Sequence, residues 1–300
     1  MQEPLILVVQ GPTASGKTAL AIALAQHFQT EIISFDSRQF YQEMSIGTAV
    51  PSTEELHAAP HHFIQCASYK DAINASQFEA LARPVLERLL SERGVAVLVG
   101  GSALFADALI FGLDELPHDP EVQIKWQECF KEKGIEFLQA ELQRLDPVYY
   151  TQVDMHNARR LIRALEVVEI TGKSNSVLRK GLEKPLARTA RFVIDWPREQ
   201  LYSRIHLRVD QMLAAGLEEE AAQLFSNHLQ YKSLNTVGYS EFFASWKGEL
   251  TEAQVPLLIK QHTRNYAKRQ LTWMRRYDDV HYLDPLSGEP LLKQALDRIG

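Results

Sequence analysis

The apolar residues of this chain change their spacing along its length, and these changes divide it into three parts. In residues 1–115, short apolar runs alternate with helical patterns. Leu5–Val9 and Val95–Val99 are unbroken apolar runs, which are typical of strands buried on both faces. Glu31–Phe35 predicts a further short strand, and Phe78–Arg93 has apolar residues at helical spacing. This alternation predicts a parallel α/β sheet.

The second part, residues 116–189, has helical patterns and no strand-like run. Asp119-Pro120 predicts the start of a helix, and Gly134 predicts its end. Another helix follows, and Asn157–Ile170 predicts a third. Lys173–Arg191 has no clear periodicity and is expected to be a loop. We therefore predict a helical domain, inserted into the α/β core.

The third part, residues 190–300, again has the strand and helix patterns of the predicted α/β core. Arg191–Trp196 has strand character, and helical patterns follow it. The predicted helices are Arg198–Ala215, Leu217–Phe225 and a long one from Glu252 to Met274. Residues 190–300 are therefore expected to complete the core that residues 1–115 begin.

The most informative motif lies directly after the first predicted strand. The run Gly-Pro-Thr-Ala-Ser-Gly-Lys-Thr fits G-x-x-x-x-G-K-[ST], and a small-residue helix is predicted after it at Ala19–His27. In this setting the loop wraps a diphosphate with its backbone N–H groups. The predicted diphosphate- or nucleotide-binding residues are Gly11, Pro12, Thr13, Ala14, Ser15, Gly16, Lys17 and Thr18. Lys17 would neutralise the anion and Thr18 would hold Mg²⁺, so we predict a P-loop NTPase-like core.

Polar residues also follow the other predicted strands. Asp36 ends the second strand, and ligands bind at the carboxyl ends of parallel strands, so it should face the loop. It could act as a general base, as a magnesium ligand, or only as a helix N-cap. Gly100-Gly101-Ser102 could let the backbone approach a ligand and offer a hydroxyl, or form only a tight turn. No acid ends that strand, which argues against an ATP- or GTP-driven motor.

Two further pairs of residues allow more than one interpretation. Arg204 and Arg208 are four residues apart on one predicted helix face, where they could clamp a diphosphate or face solvent. His61 and His62 are adjacent, and adjacent side chains of an extended segment point in opposite directions. A structural role is therefore favoured over metal binding for the histidines.

The charge of the chain is unevenly distributed. The net charge of −6 by itself argues mildly against a nucleic-acid partner. However, His156–Arg191 has nine Lys and Arg against three Glu, and Pro256–Arg276 has six Lys and Arg and no acid. Tyr266 and Trp273 lie within the second cluster. Basic faces with aromatic residues predict a phosphate-rich partner, and the alternative is a solvated helix face.

Composition narrows the protein class. No apolar stretch approaches the length of a membrane span, and the N-terminus has no signal-like segment. Cys66 and Cys129 are too few and too far apart for a disulfide framework or a zinc site. We expect a soluble, reduced, cytoplasmic protein with no membrane partner.

Together these motifs resemble those of the bacterial tRNA dimethylallyltransferases, also called tRNA isopentenyltransferases, and the resemblance extends over nearly the whole chain. The segments most specific to this family are Asp36-Ser37 together with Ile46-Gly47-Thr48-Ala49, and the run Ala267-Lys268-Arg269-Gln270. The other matching segments are Gly11–Thr18, Gly100-Gly101-Ser102, His156–Arg160, Arg163–Glu166, Arg208–Leu213 and Val237-Gly238-Tyr239.

The resemblance implies transfer of a dimethylallyl group from dimethylallyl diphosphate to N6 of adenosine 37 in tRNA, with Mg²⁺ as cofactor. Asp36 is implied as the base that accepts the amino proton, and Ser102 as a donor to the bridging oxygen of the diphosphate. Arg208 and Lys17 are implied to stabilise the departing diphosphate. The target base must leave its stack to react.

The resemblance also implies contacts with the tRNA anticodon stem-loop. The implied residues are Asp36, Ser37, Arg38, Gln39, Ser102, Arg160, Leu161, Ile162, Arg163, Ala164, Arg264, Lys268 and Arg269. Two positions depart from the family pattern. Ser102 stands where most relatives have threonine and keeps the hydroxyl, whereas Gln123 stands where many have arginine and lacks the charge.

Two other functions are compatible with individual motifs. A small-molecule or nucleotide kinase would use the same loop, with Asp36 activating a hydroxyl and the insertion serving as a lid. A nucleotide-dependent RNA-binding switch would bind tRNA without forming a product. The combined motifs favour the transferase, and we expect a monomer.

Overall fold

A computed structural model of the protein describes residues 3–114, 116–178 and 185–299. The chain forms two compact units. One comprises Met1–Ile110 and Pro185–Gly300, and contains a sheet with its helices. The other, Phe111–Lys184, is helical. The loop predicted for Lys173–Arg191 falls partly on residues 179–184, which lie outside the described residues.

The described strands form one parallel sheet in the first unit. They are β1 (Leu5–Gln10), β2 (Ile32–Ser34), β3 (His61–His62), β4 (Val95–Gly100), β5 (Arg188–Ile194) and β6 (Val280–Leu283). Their order across the sheet is β3-β2-β4-β1-β5-β6, and each neighbouring pair is parallel. This confirms the predicted α/β class.

Helices connect the strands and form the second unit. In chain order they are α1 (Lys17–His27), α2 (Thr53–Ala58), α3 (Ala75–Arg93), α4 (Ala103–Phe111), α5 (Pro120–Leu145), α6 (Pro147–Tyr150), α7 (Ala158–Thr171), α8 (Asn175–Leu178), α9 (Arg198–Ala214), α10 (Leu217–Leu224), α11 (Ser240–Trp246), α12 (Val255–Met274) and α13 (Leu291–Ile299). Short 3₁₀ helices occur at Phe225–Asn227, Lys232–Leu234 and Glu252–Gln254. Among the described residues, no helix has both the length and the apolar character that a membrane crossing requires.

The edge strands β3 and β6 were missing from the sequence predictions. β3 consists only of the two adjacent histidines, which carry no apolar signal. His62 Nε2 lies 2.6 Å from a carboxylate oxygen of Glu31, and His61 Nδ1 lies 2.8 Å from the carbonyl oxygen of Ala59. The protein itself therefore supplies polar partners to both rings.

Two other boundaries differ from the predictions, and a third agrees with them. β5 begins at Arg188 rather than Arg191, because its pairing with β1 starts at Leu5 opposite Arg188. α8 forms within the predicted loop, and the buried Asn175 side chain donates a hydrogen bond of 2.7 Å to the carbonyl oxygen of Ala164. The predicted helix end at Gly134 agrees with the structure: the backbone there is non-helical, at φ +80° and ψ −178°, and a second helical segment of α5 follows directly. Tertiary contacts decide the two boundaries that differ.

The main apolar core lies between the sheet and α1. Alternate residues of β1, namely Leu5, Leu7 and Val9, pack in one cluster with Leu20 and Leu24 of α1. Alternate residues of a strand share a face, so β1 presents a continuous apolar surface to this helix. The packing holds the loop between β1 and α1 at the carboxyl end of the sheet, next to the ends of β4 and β5.

The helical unit has a core of its own. Its buried members include Trp126, Leu138 and Leu142 of α5 with Leu161 and Leu165 of α7.

Glu166 is the charged residue at the centre of this packing. Its fully buried carboxylate pairs with Arg163 Nη1 at 2.9 Å and with His118 Nδ1 at 2.6 Å. Burial of a carboxylate requires such partners, so these pairs tie α7 to the chain before α5.

Candidate active site

The loop between β1 and α1 has the backbone of an anion-binding turn. Gly11 and Gly16 have φ values of +136° and +96°, a region that glycine enters without steric cost. Gly16 is also the N-cap of α1, and glycine has no side chain with which to cap a helix. The first N–H groups of α1 are therefore directed towards an external anion, as the motif predicts.

Side chains from residues 196–204, distant in the chain, hold the loop. Arg204 Nε donates to the carbonyl oxygen of Ala14 at 2.8 Å, and Trp196 Nε1 donates to that of Ser15 at 2.8 Å. The Arg204 guanidinium also stacks 4.4 Å from the Trp196 ring. Arg204 therefore supports the loop, a role that the sequence did not predict, and the clamp with Arg208 stays a prediction.

One cavity of about 990 Å³ collects the predicted chemical groups in the first unit. It is lined by Lys17 and Thr18 of the loop, by Asp36 after β2, and by Arg208 of α9. Apolar residues form the rest of its wall, including Ile46, Val50, Val209, Met212 and Ile259. The cavity thus joins a phosphate-binding end to an apolar surface.

Lys17 is the cation at the phosphate end. Its Nζ donates to the carbonyl oxygen of Pro12 at 2.7 Å. Burial lowers the pKa of Lys17 to about 8, the negative charge of Asp36 raises it, and the positive charge of Arg208 lowers it further. The side chain is therefore positively charged at neutral pH but loses its proton far more readily than an exposed lysine.

Asp36 sits in a turn and starts no helix, so the N-cap alternative does not apply. Its Oδ1 accepts a hydrogen bond from Arg38 N–H at 3.2 Å, which orients the carboxylate. Tyr266 of α12 lines the same cavity. Burial raises the pKa of Tyr266 to about 12, and the negative charge of Asp36 adds to the shift. The tyrosine, absent from the sequence predictions as a site residue, is thus a neutral neighbour of the carboxylate.

Ser102 is positioned by Ser37, and neither lines the cavity itself. Ser102 Oγ accepts from Ser37 N–H at 3.1 Å and lies 3.0 Å from Ser37 Oγ. This contact links the carboxyl ends of β2 and β4 directly beside Asp36.

The two glycines before Ser102 serve the protein itself. A Cβ on Gly100 would lie 2.8 Å from the backbone carbon of Phe35, and one on Gly101 would lie 2.1 Å from Nε2 of Gln270. Gln270 Nε2 donates to the carbonyl oxygen of Gly101 at 3.1 Å, while its Oε1 accepts from Thr13 N–H at 3.2 Å. These glycines therefore admit Phe35 and Gln270, and Gly100 also lines the cavity, so the close approach of a ligand stays a prediction.

The segment Met44–Ala49 is held by a residue that the sequence did not reveal. Glu220 of α10 accepts hydrogen bonds from the N–H groups of Ser45, Ile46 and Gly47 at 2.9–3.1 Å. It also accepts one from the Tyr239 hydroxyl at 2.6 Å. A Cβ on Gly47 would lie 2.5 Å from the Tyr239 ring, so this segment fits only with glycine there. One carboxylate thus shapes this part of the cavity wall.

The residues predicted to bind tRNA occupy different environments. Arg38, Gln39 and Arg269 line the cavity together with Asp36. Gln39 Nε2 also donates to the carbonyl oxygen of Ala49 at 2.8 Å, which ties the adjoining segment down.

Two residues predicted on α12 lie elsewhere on that helix. Lys268 lines a separate cavity with Tyr202 and Arg275, and the Arg264 guanidinium contacts His206. These cations are distributed along the helix rather than gathered at one point.

In the helical unit, the predicted RNA contacts divide between surface and core. Arg160 is exposed. Leu161, Ile162 and Ala164 are at most 6% exposed and pack in the apolar core, so their side chains face the interior of the unit. Arg163 donates to the carbonyl oxygens of Leu116 and Pro117 at 2.9 and 2.8 Å besides pairing with Glu166.

Comparisons with known proteins identify the family of the chain. A family model described as IPP transferase matches residues 39–277. A tRNA dimethylallyltransferase of Christiangramia forsetii is 44% identical over 286 residues, which cover 95% of this chain and 94% of the relative. One of Cytophaga hutchinsonii is 41% identical over 283 residues, covering 93% and 92%. The solved tRNA isopentenylpyrophosphate transferase of Bacillus halodurans has a TM-score of 0.69 and 31% identity, covering 99% of this chain and 95% of that one.

A phosphate-binding loop, a carboxylate and cations around one cavity define an α/β enzyme with a P-loop NTPase-like core. The chain belongs to the IPP transferase family. The resemblance seen in the sequence is thereby confirmed.

Proposed function

We propose that this protein transfers a dimethylallyl group from dimethylallyl diphosphate to N6 of adenosine 37 in tRNA and releases diphosphate. The observation that carries the proposal is that Lys17, Thr18 and Asp36 line one cavity with an apolar wall. The names of the two relatives, which match over more than nine-tenths of the chain, support it. The kinase alternative is not favoured, because the family and these relatives are transferases.

In the proposed reaction, N6 of the adenine attacks the allylic carbon of the donor. The bond from N6 to carbon forms as the bond from carbon to the diphosphate oxygen breaks, and the N6 proton passes to the carboxylate of Asp36. The amino group is a poor nucleophile because its lone pair is delocalised into the ring, so a positioned base accelerates the step. The hydrogen bond from Arg38 N–H supports this role by orienting the carboxylate.

The departing diphosphate gains negative charge, which the loop and its cations would stabilise. Lys17 and Arg208 both line the cavity at this end. Ser102 lies beside Asp36 just outside the lining of the cavity; its Oγ accepts from Ser37 N–H, so its own hydrogen would be donated to the bridging oxygen if the donor reaches that depth. These three residues therefore act on the leaving group, whereas Asp36 acts on the nucleophile.

Mg²⁺ is the proposed cofactor. Among the described residues, no group of three or more His, Cys, Asp or Glu could hold a metal ion. The ion would be held by the Thr18 hydroxyl together with oxygens of the donor diphosphate, and it would keep several of its waters. When bound, it would offset the charge of the diphosphate.

The proposed partner is the anticodon stem-loop of tRNA, bound by a monomer in the cytoplasm. Arg264, Lys268 and Arg269 of α12 would contact phosphates, as would the exposed Arg160 on the helical unit. The target adenine would leave its stack and enter the cavity, where Tyr266 offers an aromatic surface.

The test is a product assay on the purified protein. Unmodified tRNA and magnesium are incubated with dimethylallyl diphosphate in one sample and with ATP in another, and nucleosides are analysed by mass spectrometry. We expect prenylated adenosine only with the prenyl donor. ATP consumption with a small hydroxylated substrate, and no prenylated nucleoside with either donor, would support the kinase instead.

The lowered pKa of Lys17 predicts a pH dependence of diphosphate binding. Lys17 is protonated below about pH 8 in the free protein and attracts the anion, and it becomes neutral above that pH. The affinity for inorganic diphosphate should therefore fall by up to about tenfold per pH unit above this value, as expected when one proton is linked to binding. Calorimetric titration across this range measures the decline.

Lys17→Arg is the matched control, because arginine keeps its charge throughout the range. The ionisation of diphosphate itself affects both proteins equally. If the decline is the same in wild type and Lys17→Arg, the titrating group is not Lys17.

A further inference from the structure

Ser34 is a buried polar residue that the proposed chemistry does not yet use. It is the last residue of β2 and is 1% exposed. Within the described part of the chain, no hydrogen-bond partner reaches its Oγ. Nearly all buried hydroxyl groups have a partner in the protein or in bound water, so a hydroxyl without one calls for an explanation.

The direction of the Ser34 side chain follows from the strand. Ile32, two residues earlier, packs in the core cluster that contains the residues of α1, and alternate strand residues share a face. Ser34 therefore points to the α1 side of the sheet, beyond the end of the apolar core. Its partner in register is Val99, and both residues line the cavity together with Thr18 in the first turn of α1. Ser34 thus lies in the wall of the cavity at its phosphate end, with its hydroxyl buried.

We propose that Ser34 is a positioning residue whose hydroxyl binds a water molecule of the Mg²⁺ hydration shell. This inference rests on the proposed function, in which Thr18 holds the ion. Mg²⁺ gives up its hydration shell reluctantly and keeps several waters when it is bound through substrate phosphates. A buried hydroxyl without a partner among the described residues, in the wall of the same space, is suited to bind one of them, and this bond would fill the hydrogen-bonding capacity of Ser34.

A serine also suits the charge balance of this site. Asp36 lies two residues beyond Ser34 and must be ionised to accept a proton. A carboxylate at position 34 would place a second negative charge next to it, and the two would repel each other. A neutral hydroxyl orients a metal-bound water without this effect.

The test measures metal binding rather than turnover. Ser34→Ala is compared with wild type by calorimetric titration of Mg²⁺ in the presence of saturating inorganic diphosphate and in the absence of tRNA. Loss of a residue that supports a metal through its ligands weakens metal binding by about 10- to 100-fold, and we expect the lower end of that range. The unliganded Ser34→Ala protein should be no less thermostable than wild type, because it loses no hydrogen bond within the protein.

Thr30→Val is the matched control. Thr30 is 5% exposed and precedes β2 at its other end, where its hydroxyl donates to the carbonyl oxygen of Val95 at 2.7 Å. This variant should lose thermostability and keep the wild-type affinity for Mg²⁺, the reverse of the Ser34→Ala result.

The possible outcomes distinguish the proposed role of Ser34 from the proposed function on which it rests. Equal Mg²⁺ affinity in wild type and Ser34→Ala would overturn the role of Ser34 and leave the proposed function intact. Weaker diphosphate binding in Ser34→Ala even without Mg²⁺ would also overturn it, since the hydroxyl would then act on the diphosphate or the loop. If wild type binds no Mg²⁺ with diphosphate, both the metal proposal and the role of Ser34 fail.

Discussion

Asp36→Ala is expected to lower the rate of prenyl transfer to tRNA by about 10²- to 10⁴-fold, the usual contribution of a positioned general base. The carboxylate follows β2, lines the same cavity as Lys17 and Thr18, and is oriented by the N–H group of Arg38. Without it, the amino proton of the adenine has no acceptor at the moment of attack. Single-turnover measurement of prenylated adenosine, with both substrates saturating, reports this step.

Asp36→Asn is the control that separates chemistry from structure. Its amide oxygen can still accept the hydrogen bond from Arg38 N–H, so the turn is preserved while the base is lost. Both variants should bind inorganic diphosphate with wild-type affinity or better, because the cations Lys17 and Arg208 remain. A rate for Asp36→Asn within about threefold of wild type would contradict the assignment of Asp36 as the base.

Glu220→Ala is expected to have the second large effect, through the shape of the cavity wall. The carboxylate accepts hydrogen bonds from three consecutive N–H groups, of Ser45, Ile46 and Gly47, and from the Tyr239 hydroxyl. Hydrogen bonds to charged groups contribute about 1.5–3 kcal/mol each, and water replaces part of this loss at a half-buried site, so we expect the free energy of unfolding to fall by about 3 kcal/mol. Urea denaturation measures this change.

The same variant should raise KM for dimethylallyl diphosphate more than it lowers kcat. Ile46, Gly47 and Thr48 line the cavity, whereas Asp36 and Lys17 keep their own anchors. Tyr239→Phe is the matched control, because it removes only the hydroxyl bond and leaves the three backbone bonds to Glu220. Equal stability and equal KM in Glu220→Ala and wild type would show that the segment is held by other contacts.

The sequence itself determined the features that depend on neighbouring residues. The unbroken apolar runs predicted β1 and β4, since strands covered on both faces need apolar residues at successive positions. The loop motif predicted Lys17 and Thr18, because its glycines, lysine and hydroxyl act within eight residues of one another. Asp36 was predicted from its place after a parallel strand, and the structure puts it in the cavity with the loop.

The tertiary structure decided the features that depend on residues far apart in the chain. Thr13 and Gln270 are 257 positions apart, and no local pattern predicts that Gln270 links the loop to Gly101. The assignment of Arg204 to loop support also depended on a distant contact.

The same holds for the residues around the cavity wall. In the sequence, Glu220 is one of several acids of α10, and only the structure shows that its carboxylate accepts a hydrogen bond from Gly47 N–H. Ser34 is likewise an ordinary strand serine in the sequence, and only the structure shows that its hydroxyl has no partner among the described residues. Local chemistry requires particular residue types in a short stretch and therefore leaves a pattern in the sequence. A long-range contact requires only that two side chains meet after folding. It leaves no characteristic spacing of residues in the sequence, so only the folded structure reveals it.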